Sequence, residues 1–252
     1  MKIRELLSQI AQLAKSNGIS EPFIVGGIPR DKVLGRLDAV QDIDLTTGDE
    51  SIHKLSQVTA NSLRPQFPEL NLKVMGDGHS QIMIGNVKLD FSSNYKTPGV
   101  EQKLVKAGEK PSPLLVEMVS RDFTCNTLLM TLDLKDIRDM TGMGMRDIKR
   151  KMLVTPMAPE ITLGNDNKRV ARIPYLAAKL GFEVEPAIIK WVRNHPESLT
   201  QNAKPRYVSQ KISKAMGYDP ERTVKLLDEM GLWHEVPLTE ELIPYATQYG
   251  RA

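Results

Sequence analysis

Asp42 and Asp44 stand one residue apart in "QDIDLTT", and on a β-strand two such carboxylates point to the same face about 6.6 Å apart along the chain. Holding them there is costly unless a cation neutralises them, and hard oxygen ligands of this kind suit Mg²⁺ or Mn²⁺. Just upstream, "FIVGGIPRD" carries Gly26-Gly27 and Arg30, whose backbone N–H groups and guanidinium are donors for phosphate oxygens. Acids beside phosphate donors are what a metal-bound nucleotide needs. Asp90, in the alternating run "VKLDF", is expected as a third acid near the metal. Each feature alone is commonplace: Glu183 and Glu185 share the spacing of Asp42 and Asp44 yet read as exposed surface, a Gly-Gly pair is ordinarily a turn, and Arg30-Asp31 could be a surface ion pair of little consequence. Their order within the 25 residues from 23 to 47 is what points to chemistry.

The elements that must position these residues are legible in outline. "IRELLSQIAQLAKSNG" has apolar residues at helical spacing and stops at Asn17-Gly18. Residues 23 to 25 read as a short buried strand, Gly26-Gly27 as a turn, and residues 30 to 34 as the start of a helix with Pro29 in its first turn. Strand patterns recur at 72 to 75, 81 to 84 and 86 to 91, the last two joined by a hairpin at Gly85-Asn86. Residues 94 to 113, rich in Lys, Gly and Pro, are expected as a mobile loop. Beyond about residue 156 helical periods dominate, as in "RVARIPYLAAKLGF", "AIIKWVRNH" and "ERTVKLLDEMGL". The expected fold is therefore α/β (α+β), a small mixed or antiparallel sheet with helices over residues 1–155, followed by an all-helical domain over residues 156–252.

Composition narrows the class. The 252 residues are 40% hydrophobic and 26% charged, as in an ordinary globular protein of one or two domains, and a net charge of +3 tilts the chain mildly toward polyanions. The lone cysteine, Cys125, excludes an internal disulfide and is expected as a buried small hydrophobe. With neither a signal-peptide core nor an apolar run approaching ~20 residues, the expected location is the cytoplasm, with no membrane partner. No P-loop, GxSxG elbow or zinc-spaced Cys/His cluster competes with the acidic pair.

The order of residues resembles the class II nucleotidyltransferases, the tRNA CCA-adding enzymes and bacterial poly(A) polymerases, whose first motif reads approximately GGxVRDxLLGRxxxDxDxxT. Gly26, Gly27, Arg30, Asp31, Leu34, Gly35, Arg36, Asp42, Asp44 and Thr47 fall in register with it. "SRDFTCNTLLMTLDLKDIRDMTGMGMRD" looks like the family's RRDFTINAL block and the segment after it, through Arg121, Asp122, Phe123, Thr124, Asn126, Asp139, Gly142 and Asp147. "NDNKRVARIPYLAAKLGF" resembles EDxxRxLRxxRFxxxLGF through Asp166, Arg169, Arg172, Leu180, Gly181 and Phe182. The chain departs from the family at Pro29, which replaces valine, at Asn165, which replaces the glutamate of EDxxR, and at Tyr175, which replaces the last arginine of the third motif.

The resemblance implies an enzyme with a catalytic head and a helical neck that transfers nucleotides from CTP and ATP to an RNA 3′-hydroxyl, foremost tRNA 3′-CCA addition or repair, with release of pyrophosphate. It implies Asp42 and Asp44 as the metal-binding catalytic pair, Mg²⁺ or Mn²⁺ as cofactor, and Gly26, Gly27, Arg30 and Arg121 as contacts to the nucleotide. Asp166 and Arg169 would read the base, since a carboxylate accepts from an exocyclic amine and a guanidinium donates to ring acceptors. Arg172 would be a further nucleotide contact. Poly(A) addition, CC- or A-addition alone, transfer to a non-RNA acceptor, and a catalytically silent RNA-binding role stay open as alternatives. A basic face with Lys190, Arg193, Lys204, Arg206, Lys211 and Lys214 interleaved by Trp191 and Tyr207 could track RNA, or could be a solvated helix surface.

Overall fold

A computed structural model describes residues 2–36, 40–75, 79–92, 96–201 and 203–250. The chain forms two compact units, residues 1–121 with 125–145 and residues 122–124 with 146–252.

In the first unit, α1 (Ile3–Ser16), β1 (Phe23–Val25), α2 (Gly27–Val33), β2 (Asp42–Thr46) and α3 (Ser51–Leu63) precede β3 (Leu72–Val74), β4 (Ser80–Ile84) and β5 (Val87–Phe91). Then follow α4 (Val100–Lys106), α5 (Pro113–Val119), β6 (Leu129–Thr131) and β7 (Ile137–Arg138). The seven strands form one mixed sheet in the order β3-β4-β5-β2-β1-β6-β7. Only β2 and β5 run parallel; the other neighbours are antiparallel.

Period-two alternation decides what each sheet face carries. Ile43 and Leu45 of β2 and Leu89 and Phe91 of β5 are fully buried in one core with Leu7 and Ile10 of α1 and Ile52, Leu55 and Leu63 of α3. The residues between them, Asp42, Asp44 and Thr46 on β2 and Lys88 and Asp90 on β5, therefore stand on the opposite face. Part of that face is closed by α5, where Met118 packs with Phe23, Val25 and Leu129.

Residues 94 and 95 of the expected loop lie outside the described residues, and so do residues 37 to 39 of the first motif. The rest of the loop expectation is corrected. Residues 100–106 form α4, because Val100 and Leu104, four apart, bury side chains that the surrounding lysines and glycines obscure in the sequence.

The second unit contains most of α6 (Gly144–Lys149), then β8 (Met152–Leu153), α7 (Pro159–Thr162), α8 (Arg172–Leu180), β9 (Glu183–Val184), α9 (Pro186–Arg193), α10 (Pro205–Tyr218), α11 (Pro220–Glu229) and α12 (Ile243–Gln248). It is helical but not all-helical, since β8 and β9 pair in parallel across α8. That pairing draws residues 146–155 into this unit, and Thr124 N–H donates to the Val154 carbonyl at 2.9 Å, which brings residues 122–124 with them. The break thus differs from a single division at 155. Helices α8 and α10 pack against each other, and Ile173, Leu176 and Ala177 on the first and Val208, Ile212 and Ala215 on the second are buried. Among the described residues no helix is long and apolar enough to cross a membrane.

Candidate functional site

Parallel register sets the acids. Asp44 is the Cα partner of Asp90 and Asp42 that of Lys88, so three carboxylates and one ammonium occupy adjacent positions on one sheet face. Lys88 Nζ lies 2.9 Å from Asp90 Oδ2 and 3.5 Å from Asp42 Oδ1, and Gln81 donates to Asp90 Oδ1 at 2.8 Å. Asp42 is exposed, whereas Asp44 is half-buried. Burial pushes the Asp44 carboxyl above its ordinary value; the negative charges of Asp90 and Asp42 add to this, while Arg121 and Lys88 oppose it. Lys88 meanwhile is held above its usual value, chiefly by its hydrogen bond to Asp90.

The face is short of positive charge at Asp44, and its donors are hard carboxylate oxygens, so the residue set fits a Mg²⁺ or Mn²⁺ ion at Asp42 and Asp44 with Asp90 beside them. The side chains are spread along two strands; no group of three or more His, Cys, Asp or Glu is gathered at ligating distance among the described residues.

The glycine pair has a steric reason. Gly26 has φ 76° and ψ −128°, and a Cβ on it would stand 2.6 Å from Asp44 Oδ2. This is a close approach of backbone to carboxylate that only glycine permits. A Cβ on Gly27 would meet Arg30 Nη2 at 3.1 Å. Arg30 itself is 3% exposed and donates to Asp31 Oδ1 at 2.8 Å and to Asn126 Oδ1 at 2.7 Å. Arg30 and Asp31 are thus not a loose surface pair; the guanidinium lies under the turn and braces it.

Arg121 reaches the acidic face from the residues after α5, and Glu117 holds it there. Glu117 is 2% exposed, accepts from Arg121 Nη2 at 3.0 Å and accepts from Thr46 Oγ1 at 2.7 Å. One buried carboxylate therefore ties the strand that carries Asp44 to the arginine that opposes its charge. Glu117→Gln places an amide N–H against one of two donors, and is expected to cost about 2–3 kcal/mol in urea unfolding at neutral pH. An unchanged midpoint would remove this role from Glu117.

In the helical unit, Asp166 and Arg169 meet as expected, on a single 3₁₀ turn (Asn167–Arg169) ahead of α8. Arg169 Nε lies 3.5 Å from Asp166 Oδ2, and Nη1 donates to the Thr162 carbonyl at 3.0 Å. With Arg169 4% exposed, the pair is held in place by the fold itself. Arg172 pairs with Asp122 at 2.7 Å, so that carboxylate sets its direction.

Lys88 and Glu117 are the residues of this site that sequence reading missed. Lys88 alternates with Asp90 in "VKLDF", a signal usable only once the parallel register is known; Glu117 is the lone acid in the apolar run "PLLVEMV". In the second block, Asp139 accepts from the N–H groups of Thr141 and Met145, and the fully buried Asp147 accepts from Arg146 and Arg150. Those two matches hold loops and a helix.

A family model described as the poly A polymerase head domain matches residues 22–154. The chain is 26% identical over 232 residues to the A-adding tRNA nucleotidyltransferase of Aquifex aeolicus, covering 88% of this chain and 25% of that protein. It is 25% identical over 217 residues to the CC-adding tRNA nucleotidyltransferase of Shouchella clausii, covering 86% of this chain and 50% of the relative. It thus spans half or less of these relatives' length. The crystal structure of the Bacillus stearothermophilus CCA-adding enzyme in complex with CTP superposes with a TM-score of 0.68 at 24% identity, over 92% of this chain and 53% of the other, a likeness of fold.

Proposed function

The chain belongs to the family of the poly A polymerase head domain, and on that premise we propose that it is a template-independent RNA nucleotidyltransferase, adding C and A residues from CTP and ATP to the 3′ end of tRNA. The observation that carries this reading is the acidic sheet face, with Asp42 and Asp44 on β2, Asp90 opposite, and Gly26 leaving room against Asp44. Mg²⁺ or Mn²⁺ held by Asp42 and Asp44 would supply Lewis acidity toward the attacking hydroxyl and the leaving pyrophosphate.

The chain's own residues do the positioning. Gly26 keeps the approach to Asp44 open, and Arg30 buttresses the turn that carries Gly26 and Gly27. Glu117 aims Arg121, a fixed positive charge beside Asp44, where negative phosphate oxygens would come. Lys88 neutralises Asp42 and Asp90 until a stronger cation competes for them. In the helical unit Asp166 accepts from the exocyclic amine of C or A while Arg169 donates to the ring acceptors, so protein stands where a template would. Residues 1–155 supply the head chemistry in this reading, and residues 156–252 the base choice. The lone buried Cys125 supports action in the reducing cytoplasm.

Arg169→Ala leaves the acids untouched and is expected to lower the preference for CTP and ATP over UTP and GTP by about tenfold to a hundredfold, read from the four incorporation rates. The two partial-adding relatives favour a second reading, CC- or A-addition alone. Acceptor tRNAs ending before CCA and after CC separate these: a complete adder extends both, an A-adder only the second, and a CC-adder only the first.

A further inference from the structure

Helices α8 and α10 bring three tyrosines and a set of lysines to one face of the helical unit. Lys211 Nζ lies over two rings, 5.1 Å from the centroid of Tyr175 and 5.4 Å from that of Tyr207. Lys179 approaches the Tyr175 ring at 6.0 Å, and Tyr218, 55% exposed, packs against Tyr175 with centroids 6.1 Å apart and planes tilted by 55°. Burial and the charges of Arg172, Lys214 and Lys179 lower the Lys211 pKa, opposed by Asp122, which Arg172 engages at 2.7 Å. Among the described residues no carboxylate is within ion-pair distance of Lys179, Lys211 or Lys214. The three lysines thus gather positive charge with Asp122, shared with Arg172, as a nearby acid.

Arginines and an aromatic elsewhere in the unit have partners of their own. Arg193 donates to the Glu229 carbonyl, Arg222 to Phe182 and Glu183, and Trp191 stacks on His195 at 4.6 Å. The tyrosine that departs from the family motif, Tyr175, lies at the centre of the cluster, and the cation absent from residue 175 is supplied by Lys211 from the neighbouring helix.

Taking the RNA nucleotidyltransferase reading as its basis, we propose that Tyr175, Tyr207, Tyr218 and Lys211, with Lys179 and Lys214, form the seat for the single-stranded 3′ segment of the RNA acceptor. Bases stack on the tyrosine rings and backbone phosphates lie against the lysines. One nucleoside triphosphate has a single base, whereas several rings and separated cations along two firmly packed helices match a strand that repeats base and phosphate.

The test measures the affinity of the full chain for a fluorescein-labelled RNA hairpin with a 3′ overhang ending in CC, by anisotropy, alongside its affinity for CTP by equilibrium dialysis. Lys211→Met and Tyr175→Ala are each expected to weaken RNA binding about tenfold, with Lys211→Arg and Tyr175→Phe close to wild type and CTP binding unchanged. Tyr218→Ala, at an exposed ring removable without disturbing the core, is expected to weaken it by about threefold. The inference is overturned if RNA affinity is unmoved in Tyr218→Ala and in a Lys211→Met chain that melts like wild type. It is also overturned if CTP affinity falls as much as RNA affinity, since the seat would then belong to the nucleotide. Lys211-dependent RNA binding by a chain that transfers no nucleotide would leave the seat standing and remove the enzymatic reading.

Discussion

Asp44→Asn is expected to lose about a thousandfold in nucleotide transfer while folding at least as stably as the wild type in metal-free buffer. The two halves of this result have one cause. Burial first, and then the charges of Asp90 and Asp42, raise the Asp44 carboxyl above its reference value of 3.8. A carboxyl raised in the folded chain binds its proton more tightly there than in the unfolded chain. Its contribution to stability is therefore complete below the unfolded value and is lost as pH rises through the folded one. At neutral pH the ionised Asp44 works against the fold, and the neutral amide removes that penalty. Thermal melts in EDTA at pH 4 and pH 8 should show wild type losing more than Asp44→Asn as pH rises, and Mg²⁺ should narrow that loss in wild type alone. A variant less stable than wild type at both pH values would contradict the electrostatic assignment, whatever its activity.

Gly26→Ala is expected to be damaging in both respects. The methyl group would stand 2.6 Å from Asp44 Oδ2, on a backbone at φ 76° and ψ −128° that alanine adopts only under strain. Strain and the forced shift of a carboxylate together should cost about 2–3 kcal/mol in urea unfolding. Displacing Asp44 by about an ångström should also lower transfer about a hundredfold. Gly27→Ala is the informative contrast, because there the methyl meets the end of the Arg30 side chain at 3.1 Å instead of an acid of the sheet face. Equal losses from the two variants would show that the turn as a whole, and not the gap beside Asp44, is what matters.

The parts of this site that were readable in the sequence are those encoded within a few residues. The alternation of Asp42, Ile43, Asp44 and Leu45 is that of a strand with acids on one face and core on the other, and it folds so. The Gly85-Asn86 hairpin, the stop of α1 at Asn17-Gly18 and the placement of Asp166 three residues before Arg169 are equally local. What escaped was set by distant partners. Lys88 reaches Asp42 through the parallel pairing of β2 with β5, whose register no short segment encodes, and the same register sets Asp90, the third acid expected from the sequence, opposite Asp44. Glu117 finds Thr46 across 71 residues of chain. The β8 and β9 strands, two residues each, are too short to show alternation, and their pairing explains both the strands hidden in the helical half and the break ahead of residue 155. Arg30 looked like an open phosphate ligand because burial is invisible in a motif; in the fold its guanidinium is committed to Asp31 and Asn126.

The central claim, transfer of selected nucleotides to an RNA end by the acidic face, is tested most directly by one label-incorporation measurement. Wild type and Asp44→Asn are incubated side by side with Mg²⁺, a tRNA lacking its CCA end, and each of the four α-labelled nucleoside triphosphates in turn. The account predicts label from CTP and ATP entering the RNA with wild type, little from UTP or GTP, and none above background with Asp44→Asn. No label entering the RNA from any nucleotide, or equal labelling by the two proteins, would contradict it.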